Sequence, residues 1–169
     1  WSSDVCSSDL DCLDVEGLGS EIATALVEGD HVRTIADLFD LGVVQLTALE
    51  VGGRMLGAST ATKLMAEIER AKSAPYNRVL TALGIRMTGR TMGRRLAAAF
   101  PTMDRLRAAS VADLAAVDGV GVVKAQVIHE GLAAMGPVID RLAAAGVNMG
   151  AEPTQAAGDL PFAGMTIVV

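Results

Sequence analysis

The sequence predicts an all-α domain made of four copies of one unit, in which a glycine-containing turn joins two helices. Hydrophobic residues make up 51% of the 169 residues and aromatic residues only 3%, which favours packed helices over a β-sandwich. Four short turn segments recur, and their last glycines stand at positions 19, 57, 89 and 121. A helical pattern of apolar residues follows each turn. Intervals of 38, 32 and 32 residues between these glycines indicate an internal repeat.

The four turns share a small residue placed four positions after the last glycine. The turns are Glu16-Gly17-Leu18-Gly19, Met55-Leu56-Gly57, Met87-Thr88-Gly89 and Asp118-Gly119-Val120-Gly121. The small residues are Ala23, Ala61, Gly93 and Ala125. Two helices joined by so short a turn cross closely, so a bulky side chain there would push them apart. The second turn departs from the pattern, because Met55 stands where the other turns would have their first glycine. We expect the role of this second turn to be mainly structural.

Apolar residues at helical spacing predict the buried face of the helix after each turn. The predicted faces are Ile22, Leu26 and Val27; Leu64, Met65 and Ile68; Leu96 and Phe100; and Val123, Val127 and Ile128. Before the third turn, Pro75 suits a first helical position.

Capping residues predict where the later helices begin and end. Ser110 is a good N-cap, with Asp113 in the capping-box place. Thr102 is expected to cap a short connector. A last helix over residues 137–145 is expected to end at Gly146.

Composition and charge exclude several classes of protein. No apolar stretch is long enough for a transmembrane helix, and two cysteines cannot form a four-thiolate zinc site. The net charge of −6 argues against a nucleic-acid binder. However, residues 11–75 carry 11 acidic and five basic residues, whereas residues 76–150 carry five acidic and nine basic residues. This asymmetry indicates an acidic partner for the second half.

The first ten residues do not match the Ala- and Leu-rich chain that follows. They hold the only tryptophan and one of the two cysteines, and they lack the basic start and apolar run of a signal peptide. Codons from the end of a common short-read sequencing adapter can spell them. We therefore expect residues 1–10 to be non-native and disordered, and codons that differ from the adapter would contradict this.

A glycine turn that leads into a helix can bind an anion. The first backbone N–H groups of the helix have no partner within it, and the helix dipole attracts negative charge. One such turn is most simply a tight connection between helices. Four in register favour a protein that binds the regularly spaced phosphates of a nucleic-acid duplex.

These repeats resemble the tandem helix-hairpin-helix family, and more narrowly the four-hairpin domain of bacterial NAD-dependent DNA ligases. The resemblance rests on residues 12–19, 80–86 with Gly89, and 142–147, and it covers residues 11–149. Residues 150–160 have the composition of a linker. Residues 161–169 are similar to the first β-strand of the BRCT domain that follows in those ligases, which implies a truncated C-terminal strand and a fragment of a longer protein.

The resemblance implies a piece of an enzyme that seals nicks in duplex DNA during replication and repair. Family members use NAD⁺ to adenylate a lysine, need magnesium, and carry a four-cysteine zinc module before the hairpins. Lys63, Lys72 and Lys124 lack the family's K-x-D-G motif, and Cys12 does not align with a zinc ligand. We therefore expect a catalytically silent fragment with no cofactor or catalytic residue of its own. We also expect a bacterial, cytoplasmic and monomeric protein.

The resemblance further implies that the hairpins grip the backbone of double-stranded, nicked DNA without base specificity. The expected DNA-binding residues are Gly17, Leu18, Gly19, Gly57, Ser59, Arg86, Thr88, Gly89, Arg90, Arg94, Gly119, Val120, Gly121 and Lys124. Arg95 is a further candidate for a phosphate contact.

Other readings of the sequence stay open. The chain could be a hairpin module of another repair protein, such as an excision nuclease subunit or a junction-binding protein. It could also be a structural or protein-interaction domain, because acidic residues surround the first turn. Residues 119–124 match only the start of a dinucleotide-binding fingerprint. Neither His31 and His129 nor the carboxylates of Glu67 and Glu69 are spaced for a metal or catalytic site.

Overall fold

The computed structural model describes residue 13 and residues 15–151, and these residues are mainly helical. The expectations for residues 1–10 and 161–169, and for nearly all of the 150–160 linker, lie outside this part. The helices are α1 Ser20–Glu28, α2 Ile35–Phe39, α3 Val43–Thr47, α4 Ala58–Ala71, α5 Tyr76–Ala82, α6 Arg90–Ala99, α7 Met103–Ala108, α8 Val111–Ala115, α9 Gly121–Ala134 and α10 Gly136–Ala144. The strands are β1 Glu50–Val51 and β2 Arg54–Met55. The predicted all-α class is confirmed.

The helices pack in the pairs that the repeat predicts. Helix α3 packs against α4, α5 against α6, and α8 against α9. We name the connections hairpin 1 (residues 15–19), hairpin 2 (residues 50–57), hairpin 3 (residues 84–89) and hairpin 4 (residues 117–121). Hairpin 1 leads into α1, and most of the segment before it lies outside the described residues.

The small residues after the four turns all lie in the interior of the protein. Ala23, Ala61, Gly93 and Ala125 are all buried. At Gly93 the crossing is so close that a Cβ atom would lie 2.8 Å from Thr81 Oγ1 and 3.0 Å from the carbonyl oxygen of Asn77. The predicted close approach of helices is therefore confirmed for the α5–α6 pair.

Aliphatic side chains from every repeat form one core cluster. Its largest fully buried members are Leu26, Ile35, Leu38, Leu46, Leu64, Leu96, Met103, Leu106, Leu114, Ile128 and Ile139. The prediction for Val123 is wrong, because its side chain is 81% exposed. Helix α9 buries Ala125, Ile128 and Leu132, and Val123, two residues before Ala125, lies on the opposite side of that helix.

The predicted caps of the connecting helices are confirmed. The Ser110 hydroxyl accepts a hydrogen bond from the Asp113 amide, and the Asp113 carboxylate accepts one from the Ser110 amide. Thr102 caps α7 by accepting from the Arg105 amide at 3.3 Å. Pro75 is the N-cap of α5 and not its first helical residue, so that prediction is wrong by one position. Its extended backbone (ψ 138°) places it outside the helix.

Hairpin 2 is a small antiparallel β-hairpin, which the sequence analysis did not predict. Glu50 pairs with Met55 and Val51 with Arg54. Between the strands, Gly52 and Gly53 have φ angles of +57° and +79°. A two-residue turn of this kind needs left-handed backbone at both central positions, which glycine adopts without strain.

The segment after α10 ties the repeats together. The Asn148 amide N–H donates to the Lys72 carbonyl at 2.8 Å, and Asn148 Nδ2 donates to the Ala74 carbonyl at 3.1 Å. Gly150, the first residue of the predicted linker, forms an isolated bridge with Thr102. This segment therefore contacts the connections on both sides of the α5–α6 unit.

Candidate nucleic-acid interface

Hairpins 1, 3 and 4 contain the same tight turn, although the last glycine has φ −67° in hairpin 1 and −60° in hairpin 3 but +62° in hairpin 4. In each, an amide N–H donates to the carbonyl three residues earlier, with N···O distances of 3.0–3.1 Å: Leu18 to Val15, Thr88 to Ile85, and Val120 to Val117. The residue before each donor has left-handed φ: +85° at Gly17, +70° at Met87 and +79° at Gly119. Hairpin 2 has no such turn, because Met55 belongs to strand β2.

The helices that follow the hairpins begin without side-chain caps. Among the described residues, no side chain caps α1, α4, α6 or α9 by a hydrogen bond. Threonine and serine hydroxyls cap the connecting helices α7 and α8, whereas α5 and α10 also lack a side-chain cap. The first amides of the uncapped helices are donors that the fold leaves for another acceptor. Because the positive end of the helix dipole lies there, that acceptor is favoured to be an anion.

Side chains in the middle of the turns point into the protein. Leu18, Thr88 and Val120 are buried, and Thr88 Oγ1 donates to the Ile85 carbonyl at 2.6 Å. Because their amide N–H groups also donate within the turn, these three predicted site residues offer an anion neither a side chain nor a free amide. The predicted turn glycines, by contrast, are exposed: Gly17, Gly19, Gly57, Gly89, Gly119 and Gly121.

Three predicted arginines surround hairpin 3 with positive charge. Arg86, Arg90 and Arg94 are exposed. None of them forms an ion pair or a side-chain hydrogen bond with another described residue. Their charges are therefore available to a partner.

Two other cations bind the carbonyl oxygens of hairpin 4. Arg95 Nη1 donates to the Asp118 carbonyl at 2.8 Å and lies 3.1 Å from the Asp118 carboxylate. Lys124 Nζ donates to the Gly119 carbonyl at 2.9 Å. Both side chains thus stabilise the turn itself.

Hairpins 1 and 2 offer less to an anion. Exposed Glu16 and Glu21 lie in and just after hairpin 1. Ser59, the predicted contact of the second repeat, is exposed in the first turn of α4. An open cleft of about 780 Å³ between α1 and hairpin 2 is lined by Glu21, Glu28 and Glu50, among others. Carboxylates dominate this cleft, although the exposed cations Arg54 and Lys63 also lie near hairpins 1 and 2.

The sequence analysis missed the exposed apolar residues at hairpins 3 and 4. Met87 is exposed at the tip of hairpin 3, and Val122 (71% exposed) stands next to Val123 at the start of α9. The sequence contained a signal for these exposed residues, namely a large apolar residue within a tight turn or directly after it. Such a turn has little room to bury a large side chain.

Several other candidates form no chemical site. Glu67 and Glu69 pair with Arg70 and Lys72 on the surface of α4. Within residues 13 and 15–151, no group of three His, Cys, Asp or Glu side chains could hold a metal ion. No helix in the same part of the chain is long and apolar enough to cross a membrane.

Comparison with protein families identifies the fold. Residues 78–136 match the model of the helix-hairpin-helix motif, and residues 9–70 match that of the SAM-like helix-hairpin-helix tandem. These two matches show helix-hairpin-helix motifs in both halves of the chain.

Curated relatives give a narrower likeness. The chain is 57% identical over 145 residues to DNA ligase 2 of Pseudarthrobacter chlorophenolicus, covering 82% of this chain and 21% of the relative. It is 46% identical over 176 residues to DNA ligase 2 of Streptomyces coelicolor, covering 94% of this chain and 25% of the relative. The chain thus spans about a fifth to a quarter of the length of these relatives. The expected resemblance to bacterial DNA ligases is confirmed.

Proposed function

We propose that the chain is the DNA-binding segment of a bacterial DNA ligase and that it grips the phosphates of duplex DNA. The observation that carries the proposal is the set of uncapped helices, each entered from a hairpin. Backbone amides at these positions bind phosphate oxygens without reading the bases. Binding is therefore expected to be independent of sequence and strongly dependent on salt.

Hairpins 3 and 4 carry most of this grip in our proposal. Arg86, Arg90 and Arg94 add unpaired positive charge beside hairpin 3. Exposed Glu16 and Glu21 oppose phosphate at hairpin 1, and hairpin 2 has a different turn. Hairpins 1 and 2 lie in the more acidic first half of the chain, and hairpins 3 and 4 lie in the more basic second half.

For the whole protein we propose NAD-dependent sealing of nicks, with magnesium and zinc as in the family that the sequence resembles. The chain's lysines lack the adenylation motif, and we propose that this segment contributes DNA binding to the reaction and no chemical step.

Binding of the 169-residue chain to nicked duplex DNA, followed by fluorescence anisotropy, tests the proposal. Intact duplex and single-stranded DNA are the competitors. We expect the nicked and intact duplexes to bind alike, and log K to fall by about 0.9 per log salt for each phosphate neutralised. The absence of duplex binding even at low salt would refute the phosphate grip and favour a structural or protein-interaction role.

A further inference from the structure

We propose that Arg95 is a positioning residue that fixes hairpin 4 against the preceding repeat, so that hairpins 3 and 4 present their amides at a constant spacing. This inference rests on the proposed function. It assigns Arg95 a different role from that of Arg94, although the two arginines are adjacent in α6.

The geometry around Arg95 connects two repeats. Its guanidinium reaches from α6 to the turn of hairpin 4, donating to the Asp118 carbonyl at 2.8 Å and lying 3.1 Å from the Asp118 carboxylate. A Cβ atom on Gly119 would overlap the Arg95 guanidinium. Glycine at 119 therefore provides both the left-handed turn and the space that Arg95 occupies.

This tie has no counterpart at hairpin 3. The 32-residue interval places Val127 of α9 at the position equivalent to Arg95. Hairpin 3 is held instead by apolar packing, because Ile85 lies against Gly131 so closely that a Cβ there would be 2.5 Å from Ile85 Cγ2. Hairpin 4 thus depends on a charged hydrogen bond where hairpin 3 depends on close packing.

The contact of Arg95 with hairpin 4 also makes this hairpin more favourable for binding an anion. Arg95 and Lys124 bind the carbonyl oxygens of Asp118 and Gly119. Carbonyl oxygens repel phosphate, and cations bound to them reduce that repulsion. The carboxylate of Asp118 offsets the positive charge of Arg95. The positive charge of Arg94 is not offset in this way.

Hydrogen exchange without DNA tests the tie directly. We compare Arg95→Gln, and Arg95→Met as a variant that keeps the apolar stem, with Arg94→Gln. Loss of the charged hydrogen bond is expected to speed exchange of the Val120 amide, which donates to the Val117 carbonyl in the turn, by about tenfold in both Arg95 variants. Arg94→Gln is expected to leave exchange of that amide unchanged. Unchanged exchange in both Arg95 variants, with the fold intact by circular dichroism, overturns the proposal.

A double-mutant cycle tests the route by which Arg95 affects DNA affinity. Val122→Glu places a negative charge at hairpin 4 without touching Arg95. If Arg95 acts through hairpin 4, the loss of affinity caused by Arg95→Gln is smaller in the Val122→Glu background. Arg94→Gln, a direct loss of charge, causes the same fold-loss in both backgrounds. If Arg95→Gln, like Arg94→Gln, causes the same fold-loss of affinity in the parent and in the Val122→Glu background, Arg95 contacts phosphate itself. That result overturns the positioning role.

The two readouts separate this proposal from the proposed function. If the parent chain binds no DNA, the phosphate grip fails, while faster exchange in the Arg95 variants still supports the tie. If DNA binds and exchange is unaffected, the grip stands and the tie fails.

Discussion

Gly93 of α6 crosses Thr81 of α5 so closely that a Cβ atom on the glycine would lie 2.8 Å from Thr81 Oγ1. The Thr81 hydroxyl in turn donates to the Asn77 carbonyl at 3.0 Å, which holds it against its own helix. The Thr81 side chain is therefore fixed on the face of α5 that Gly93 contacts. This crossing sets the distance between the helices that flank hairpin 3.

Gly93→Val is expected to destabilise the protein by about 2–3 kcal/mol, because two extra methyl groups and a Cβ would force α5 and α6 apart. Ala98→Val, at an exposed position of the same helix, is expected to cost less than about 1 kcal/mol, its difference in helix propensity. Urea denaturation gives both values. Equal losses for the two variants would show that the crossing tolerates a side chain at residue 93.

Val122→Glu is expected to weaken duplex binding by about tenfold or more, because the new carboxylate stands within a Debye length of the bound phosphate. Val44→Glu is the matched control, since Val44 is also exposed and is likewise the second residue of its helix, α3. Its affinity is expected to stay within about twofold of the parent. Similar losses in both variants would point to net charge and not to hairpin 4. Anisotropy at fixed salt makes the comparison.

Arg90→Gln is expected to reduce the slope of log K against log salt by about 0.9, because one phosphate contact releases one set of counterions. Arg33→Gln, which removes a surface arginine paired with Asp30, is expected to leave the slope unchanged. Titrations at four salt concentrations measure the slopes. A parent-like slope in Arg90→Gln would exclude Arg90 from the phosphate contacts.

Acid is expected to weaken the contact between Asp37 of α2 and Arg141 of α10. Burial raises the pKa of Asp37, but hydrogen bonds from the Thr34 and Arg33 amides and from Arg141 outweigh it and hold that pKa below its usual range. A lowered folded pKa means that the stabilisation is present above the unfolded pKa of about 4 and is lost as the pH falls through the folded value.

The variant Asp37→Asn tests this pH dependence. It is expected to be less stable than the parent at pH 7, and the difference is expected to shrink as the pH falls toward 2. Glu28→Gln, at an exposed position of α1, is the control for loss of a carboxylate. Urea denaturation at several pH values measures the differences. A constant gap between Asp37→Asn and the parent would mean that the charge on Asp37 contributes nothing. Some acid sensitivity stays in Asp37→Asn, because the Ser110 hydroxyl and amide also lower the pKa of Asp113.

Asn148→Ala is expected to cost about 1–2 kcal/mol, because the half-buried amide side chain bonds both Ala74 and the Gly150 amide. Amide exchange at Gly150 and Met103 is expected to quicken with it, since the Met103 amide donates to the Met149 carbonyl beside this segment. Asn77→Ala, another half-buried asparagine, serves as the comparison. Unaltered exchange at both amides would show that the segment holds its place without Asn148.

Local patterns were enough to predict the repeated units and their caps. The small residue four positions after each turn predicted the helix crossings, because that spacing returns to the same helical face as the glycine. Ser110 and Asp113 predicted the start of α8, because a capping box involves only neighbouring residues. Val123 was assigned wrongly, because an apolar residue in the first turn of a helix need not lie on the face that the rest of the helix buries.

The sequence by itself determined that this chain forms helices in pairs and where the tight turns of hairpins 1, 3 and 4 fall. These properties depend on residues within a few positions of one another. Only the tertiary structure decided that Arg95 binds hairpin 4 while Arg94 does not. The same is true of Asn148, which joins segments 74 residues apart. Such contacts depend on how separate helices pack, and the chemistry of a single segment does not encode that packing.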